Sequence, residues 1–324
     1  MIPFVPKISH KQTLNYINKF EEVFFKLLKE KYNVINLRCP ISTPLKNGVY
    51  SNIVDVRKIN FDNAANREIY EFINYPDNWI RFNSWFIDLM PNDCIFSSFN
   101  LINRDTKEDE YNSIENAYWN FEIYVKEENR NCEHANEILL FFWDLIFNTT
   151  LSIQDIYKTK IEKNIGCFLY KNIEKKTLLL SPKEIIKRFI LDKQFSIINN
   201  ILLKSKNVDS FIFRPYDSYD FDNTSIFFVS DNNTNDILNL MEITFRPNWN
   251  IFVKQIESND KEIVKNEFSD MLKKDNKPIT VSVKINITNL FYFLLDKEKK
   301  REIPFANPTY SLNEIYYLFF KNNK

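Results

Sequence analysis

The chain has 324 residues, enough for a sizeable buried core, and its 43 basic and 43 acidic residues cancel. With 44% hydrophobic and 27% charged residues, this is the balance of a globular protein, and it excludes a bulk electrostatic attraction to nucleic acid or anionic membrane. Only two glycines occur, Gly48 and Gly166, where usage of about 7% would give roughly 23, so no Walker loop or GxGxxG loop can be written and glycine-loop nucleotide binding is excluded.

After an N-terminal tail (1–10), residues 11–30 predict an amphipathic helix. Leu14, Ile17, Phe20, Phe24, Leu27 and Leu28 recur at spacings of three and four, with Lys, Glu and Asn opposite. A short strand, NVINLRCPIS, breaks at Pro40. Residues 94–101 (CIFSSFNL) predict another strand, and 114–125 alternate cleanly. Ala117, Trp119, Phe121, Ile123 and Val125 share one face; Tyr118, Asn120, Glu122 and Tyr124 share the other.

A helix is expected over 135–147, and Ser181, Pro182 and Glu184 supply the cap, first-position proline and capping-box glutamate of a second. Further strands are expected at 211–216, 225–229, 239–246 and 280–287, the last running into the apolar helix NLFYFLLDKEKK. The polar stretch 230–236 predicts a surface loop, and Ser311 with Glu314 opens a C-terminal helix. With no internal repeat or long linker, residues 11–324 are expected to form a single α+β domain.

Four scattered cysteines argue against a disulfide framework or zinc knuckle, and no metal site is expected. Cys132, Glu133 and His134 are expected in a surface turn, and the charge run 297–301 on a solvated face. The aromatic share of 16% is assigned to core packing rather than to base stacking. No signal-peptide-like start and no 18-residue apolar run are present, which predicts a cytoplasmic chain with no membrane partner.

Taken in order, the helix–strand–proline unit (11–41), the strand pair with a charged loop (94–125) and the strand running into an apolar helix (280–296) resemble the three class II aminoacyl-tRNA synthetase motifs. More specifically, the chain resembles the ammonia-dependent asparagine synthetases, the A-type aspartate–ammonia ligases. The family's APILSRVGDGTQDNLSG is similar to CPISTPLKNGVYSNIVD (39–55), and its SVYVDQWDWE to SIENAYWNFE (113–122). Its VRAPDYDDW is similar to FRPYDSYDF (213–221), its FELSSMGIR to LNLMEITFR (238–246), and its PQTIGGGIGQSRL to PITVSVKINITNL (278–290). The likeness covers roughly residues 11–310, least between 150 and 205. It implies a class II synthetase-like α+β fold, an antiparallel sheet flanked by helices, and a homodimer built on the 11–41 unit. It also implies a reaction that joins the aspartate side chain to AMP, using ATP and Mg²⁺, before ammonia displaces AMP.

Many of the groups such chemistry uses are replaced. The last aspartate of GDGTQD is Ser51, and the lysine of KWKR is Ile80. The inward Gln and Asp are Tyr118 and Asn120; the glutamate of FELSS is Asn239, and its serines are Met241 and Glu242. The glycine floor becomes Ser282, Val283, Lys284 and Asn286, and its arginine becomes Asn289. Asparagine has neither the permanent charge nor the fork of arginine, and a neutral amide is a poor substitute for a carboxylate on Mg²⁺.

Catalytic-type positions that persist are Arg104 and Arg81; substrate-type positions that persist are Glu122, Asp217, Asp220 and Arg246. They read either as a remnant site or as a buried ion-pair network. The framework residues Pro40, Trp79, Trp119, Phe121 and Leu290 are kept. The leading expectation is a non-catalytic paralogue acting as a binding or regulatory subunit, in which a largely apolar pocket (Ile80, Val49, Tyr50, Tyr118, Met241, Val283) holds a small molecule, a protein partner or nothing. The alternative is an active ATP-dependent ligase with another carboxylate substrate, anchored by Arg104 and Arg81; a third is RNA binding. ATP and Mg²⁺ are cofactors only if the family reaction survives.

Overall fold

The computed structural model describes residues 8–44, 60–65, 67–72, 76–102, 115–159, 161, 163, 165–174, 180–191, 193, 195–200, 218–231, 234–258, 263, 267–274 and 278–303. Its centre is an eight-stranded sheet in the order β1-β5-β6-β11-β10-β9-β8-β7. The strands are β1 (Asn33–Asn36), β5 (Asp93–Ile102), β6 (Glu115–Tyr124), β7 (Gly166–Leu169), β8 (Phe195–Asn199), β9 (Thr224–Asp231), β10 (Asp236–Phe245) and β11 (Thr280–Asn286). The outermost pairs, β1 with β5 and β7 with β8, are parallel and the rest antiparallel. A small second sheet, β2 (Ser42–Pro44), β4 (Ile69–Phe72) and β3 (Asn60–Asp62), lies apart from it in the pairing.

Period-two alternation gives the large sheet two different faces. On one, Trp119, Phe121, Val283, Ile285, Met241, Ile243 and Phe227 pack under α1 (His10–Lys29), α3 (Cys132–Ser152) and α8 (Ile287–Leu294). Phe24 of α1 meets Trp119 with tilted rings at 5.3 Å, Phe121 meets Phe142 of α3 at 4.8 Å, and Phe20 meets Phe291 of α8 edge-on at 5.2 Å. The expected 11–30 helix is thus α1, which starts one residue earlier because Ser9 and Gln12 form a capping box. Ser181 and Glu184 form the expected box at α5 (Pro182–Leu191).

The opposite face is apolar at one end, where α4 (Tyr170–Glu174) and α5 pack over Ile198, Ile226 and Phe228. In the middle it is polar, covered by α2 (Asp77–Ser84) and the segment 218–220. Helices α6 (Trp249–Glu257) and α7 (Glu267–Leu272) form a separate cluster to which Trp85, just after α2, contributes.

Several expectations need correction. Residues 132–134 open α3, whose N-cap is Asn131, instead of forming a surface turn. Lys297 is buried, donates to Thr13 Oγ1 at 2.9 Å and lies 3.6 Å from Glu302, so the 297–301 run is not wholly solvated. The expected 230–236 loop is shorter among the described residues: Ser230 and Asp231 end β9, 234–235 form a turn and Asp236 begins β10. The strand expected at 211–216 and the helix expected from Ser311 lie outside the described residues. Among the described residues, no helix is long and apolar enough to cross a membrane.

Candidate functional site

The polar middle of the sheet is where the sequence places its chemistry. Tyr118, Asn120 and Glu122 of β6 stand beside Thr280, Ser282, Lys284 and Asn286 of β11, with Glu242 and Thr244 of β10 next in line. Register puts Lys284 directly between Asn120 and Glu242. All of these except Tyr118 are buried.

Arg246, at the end of β10, organises the charges. Its Nε lies 2.9 and 3.1 Å from the two Glu122 oxygens, and its Nη2 reaches Glu122 at 2.7 Å. Its Nη1 donates to Asp77 Oδ1 at 2.7 Å and to the Ser218 carbonyl at 2.9 Å. Thr280 Oγ1 also donates to Glu122. The second Asp77 oxygen accepts from Lys284 Nζ at 2.6 Å. Lys284 also donates to the Tyr219 hydroxyl at 2.6 Å and lies 3.6 Å from Glu242, and that hydroxyl donates to Glu242.

Burial alone would raise the Asp77 carboxyl, but the Lys284 ammonium and the Arg246 guanidinium overcome it and hold the group below its ordinary value. Burial likewise opposes the charge on Arg246, yet Glu122 and Asp77 hold its proton more tightly than usual. On Lys284 burial is the largest influence; with Arg246 nearby it keeps the ammonium below the ordinary lysine value against the pull of Asp77 and Glu242. These are charges that exist in the interior only because they are paired and hydrogen-bonded.

The side chains at replaced positions bond to one another. Ser282 Oγ donates to Asn120 Oδ1 at 2.7 Å, and Asn286 Nδ2 donates to the Tyr118 hydroxyl at 3.0 Å. Lys284, where the resemblance puts a glycine, faces Glu242, where it puts a serine. Asn289 Nδ2 donates to the Asn239 carbonyl at 2.9 Å, beside the irregularity between Asn239 and Met241, and its backbone N–H is capped by Asn286 Oδ1 at 2.9 Å. Asn286 therefore has a local structural task, starting α8 where β11 ends.

The remaining expected residues divide. Arg81, on α2, donates to the Pro247 carbonyl and stacks against Trp85 (5.4 Å) and Phe268 (5.8 Å). Asp220 accepts from Arg130 at 2.8 Å and from the Asp222 N–H and Asn223, capping the turn 221–223. Arg104, Asp217 and Ser51 lie outside the described residues, as do Val49 and Tyr50. The described members of the expected apolar pocket do not come together. Ile80 packs with Leu89 and Ile95, whereas Met241 and Val283 point into the core on the opposite face. Asp77, Tyr219 and Arg130 are absent from the sequence expectations; Asp77 follows Pro76 at the start of α2, a helix that the sequence reading does not place.

ATP and Mg²⁺, which the resemblance implies, do not fit the described side chains. Lys284 fills, with a buried side chain, a position where the resemblance puts a glycine, and Arg246 is bidentate to Glu122 rather than open to a phosphate. Asp77 and Glu122 already face cations, and no cluster of three or more metal-ligating side chains occurs among the described residues.

The chain matches the family model for aspartate-ammonia ligase over residues 11–308. A curated aspartate–ammonia ligase of Clostridium tetani (strain Massachusetts / E88) is 23% identical over 153 residues, 47% of this chain and 45% of that protein, so the match spans less than half of that relative. Among solved structures, asparaginyl-tRNA synthetase from Pyrococcus horikoshii complexed with asparaginyl-adenylate is similar with a TM-score of 0.66 at 8% identity, covering 94% of this chain and 70% of that one. Asparaginyl-tRNA synthetase of Entamoeba histolytica in complex with asparaginyl-adenylate is similar at 0.61 and 9% identity, covering 91% and 66%. These likenesses show the fold, that of the class II aminoacyl-tRNA synthetases, with its large and mostly antiparallel sheet.

Proposed function

The chain belongs to the aspartate–ammonia ligase family, and from that premise we propose that it is a non-catalytic member whose polar site is closed mainly by pairing among its own side chains, Asn120 Nδ2 and Asn289 Oδ1 being buried atoms there that find no hydrogen-bond partner. What carries this reading is the mutual bonding of the replaced positions: Ser282 with Asn120, Asn286 with Tyr118, and Lys284 with Asp77 beside Glu242. Adenylate formation needs donors and positive charge aimed at a transferring phosphoryl group, held without a partner until substrate arrives. Here Arg246 and Lys284 spend their charge on Glu122, Asp77 and Glu242 instead.

The retained scaffold, with its continuous apolar core across α1, α3 and α8, then serves binding of a small molecule or a partner rather than turnover. Incubating the folded chain with Mg²⁺-ATP, aspartate and ammonium tests this by AMP release. No AMP above a protein-free control is expected. Aspartate-dependent AMP would refute the reading, and AMP appearing only with another carboxylic acid would establish the active-ligase alternative in its place.

A further inference from the structure

Lys284 Nζ sits in a cage whose oxygens come from three other elements. Asp77 Oδ2 of α2 lies at 2.6 Å, the Tyr219 hydroxyl of the segment before β9 at 2.6 Å, and Glu242 Oε1 of β10 at 3.6 Å. The Tyr219 ring centre is 4.7 Å away, adding an aromatic wall. Because the Tyr219 proton is given to Glu242, the lone pairs of its oxygen are left to accept from the ammonium. The ammonium thus donates to two oxygens, one carboxylate and one hydroxyl, and has a second carboxylate at ion-pair distance. The other Asp77 oxygen is held by Arg246, which fixes the carboxylate in place.

The cage is built by the fold, and the lysine enters it from a separate strand along a fully buried path. We propose that Asp77, Tyr219 and Glu242 form a binding site for a primary ammonium group, occupied in this chain by Lys284 as its own intramolecular ligand. This deepens the reading of a self-filled site and rests on it. The consequence is selectivity by shape: an R–NH₃⁺ group donates to Asp77 and Tyr219 while its charge faces Glu242, whereas a quaternary ammonium has no proton to donate and a guanidinium is planar.

Lys284→Ala removes the three methylenes and the nitrogen beyond Cβ, which are the atoms of n-propylammonium. Breaking a buried pair on one side should lower the melting temperature by roughly 6 °C or more. Adding n-propylammonium at about 1–100 mM is expected to restore roughly half or more of that loss, while tetramethylammonium and sodium chloride at equal ionic strength do not. Combining Lys284→Ala with Glu242→Gln should weaken the recovery at least about threefold in amine concentration, as expected when a charged partner is lost.

Should Lys284→Ala be unfolded in sodium chloride, the same series is run as refolding from urea, and folding only in n-propylammonium supports the site equally. Equal recovery by all three salts, or no folding in any of them, overturns it, because a lysine needed only for packing or net charge would behave that way. The readout is independent of ATP: AMP release by the unaltered chain would defeat the non-catalytic reading, whereas absence of amine recovery would defeat only this site.

Discussion

Arg246→Met is expected to destabilise the chain by about 3–5 kcal/mol, the usual cost of stripping one side from a buried ion network. Methionine keeps much of the stem volume but leaves Glu122 with the Thr280 hydroxyl and no guanidinium, leaves Asp77 with Lys284 alone, and withdraws a donor from the Ser218 carbonyl. Replacing Glu122 by leucine in the same background should recover part of the loss, because the uncompensated carboxylate then disappears.

The sign of the pH dependence follows from Asp77. Its folded value is depressed below the ordinary 3.8, so its contribution is complete above that pH and is lost as pH falls through the lower, folded value. Arg246→Met removes one of the two cations responsible for the depression. Urea denaturation from pH 7 to pH 3 should therefore show a gap between the two proteins that is widest near neutrality and narrows below about pH 4. A gap that widens on acidification would show that the carboxylates are not charged in the native protein.

Phe121→Ala should cost a comparable 3–5 kcal/mol, for a different reason. The ring is fully buried and lies 4.8 Å from Phe142, 5.3 Å from Phe96 and 6.0 Å from Phe24, so it joins the sheet to α1 and α3 at once. Alanine would leave a cavity that neighbouring rings cannot fill without abandoning their own contacts. Phe121→Leu should cost less than Phe121→Ala, since more of the volume is kept. Calorimetric melting is the check; a loss under about 1 kcal/mol for the alanine variant would mean that this face of β6 is not the core.

What the sequence made legible was whatever repeats strongly. The three–four spacing of α1 and the alternation along β6 and β11 each specify a face, and the alternation correctly set Ser282, Lys284 and Asn286 against Val281, Val283 and Ile285. The same period shows why the expected apolar pocket fails: Val283 has opposite parity to Lys284, so both cannot line one cavity. Strand β8 escaped because its five residues, FSIIN, do not alternate apolar with polar. Strand β7 is only four residues long and begins at Gly166, where a Cβ would lie 2.4 Å from the Phe168 ring.

Helix α2 hides for the opposite reason, since its inward side carries Asp77, Asn78 and Arg81 and inverts the usual amphipathic signal. Its contact with Lys284 spans 207 positions in the chain, and no local pattern reports such a distance. The resemblance marks the positions that differ from the family pattern; that their side chains bond to one another is visible only in the fold.

Isothermal titration of Mg²⁺-ATP into the folded chain is the most direct test of a site closed upon itself. The expected trace is heat of dilution only, up to millimolar nucleotide, because the cationic side chains at the sheet are already paired. A saturable isotherm near one nucleotide per chain, abolished by Lys284→Glu, would contradict it and show that the lysine serves a phosphate.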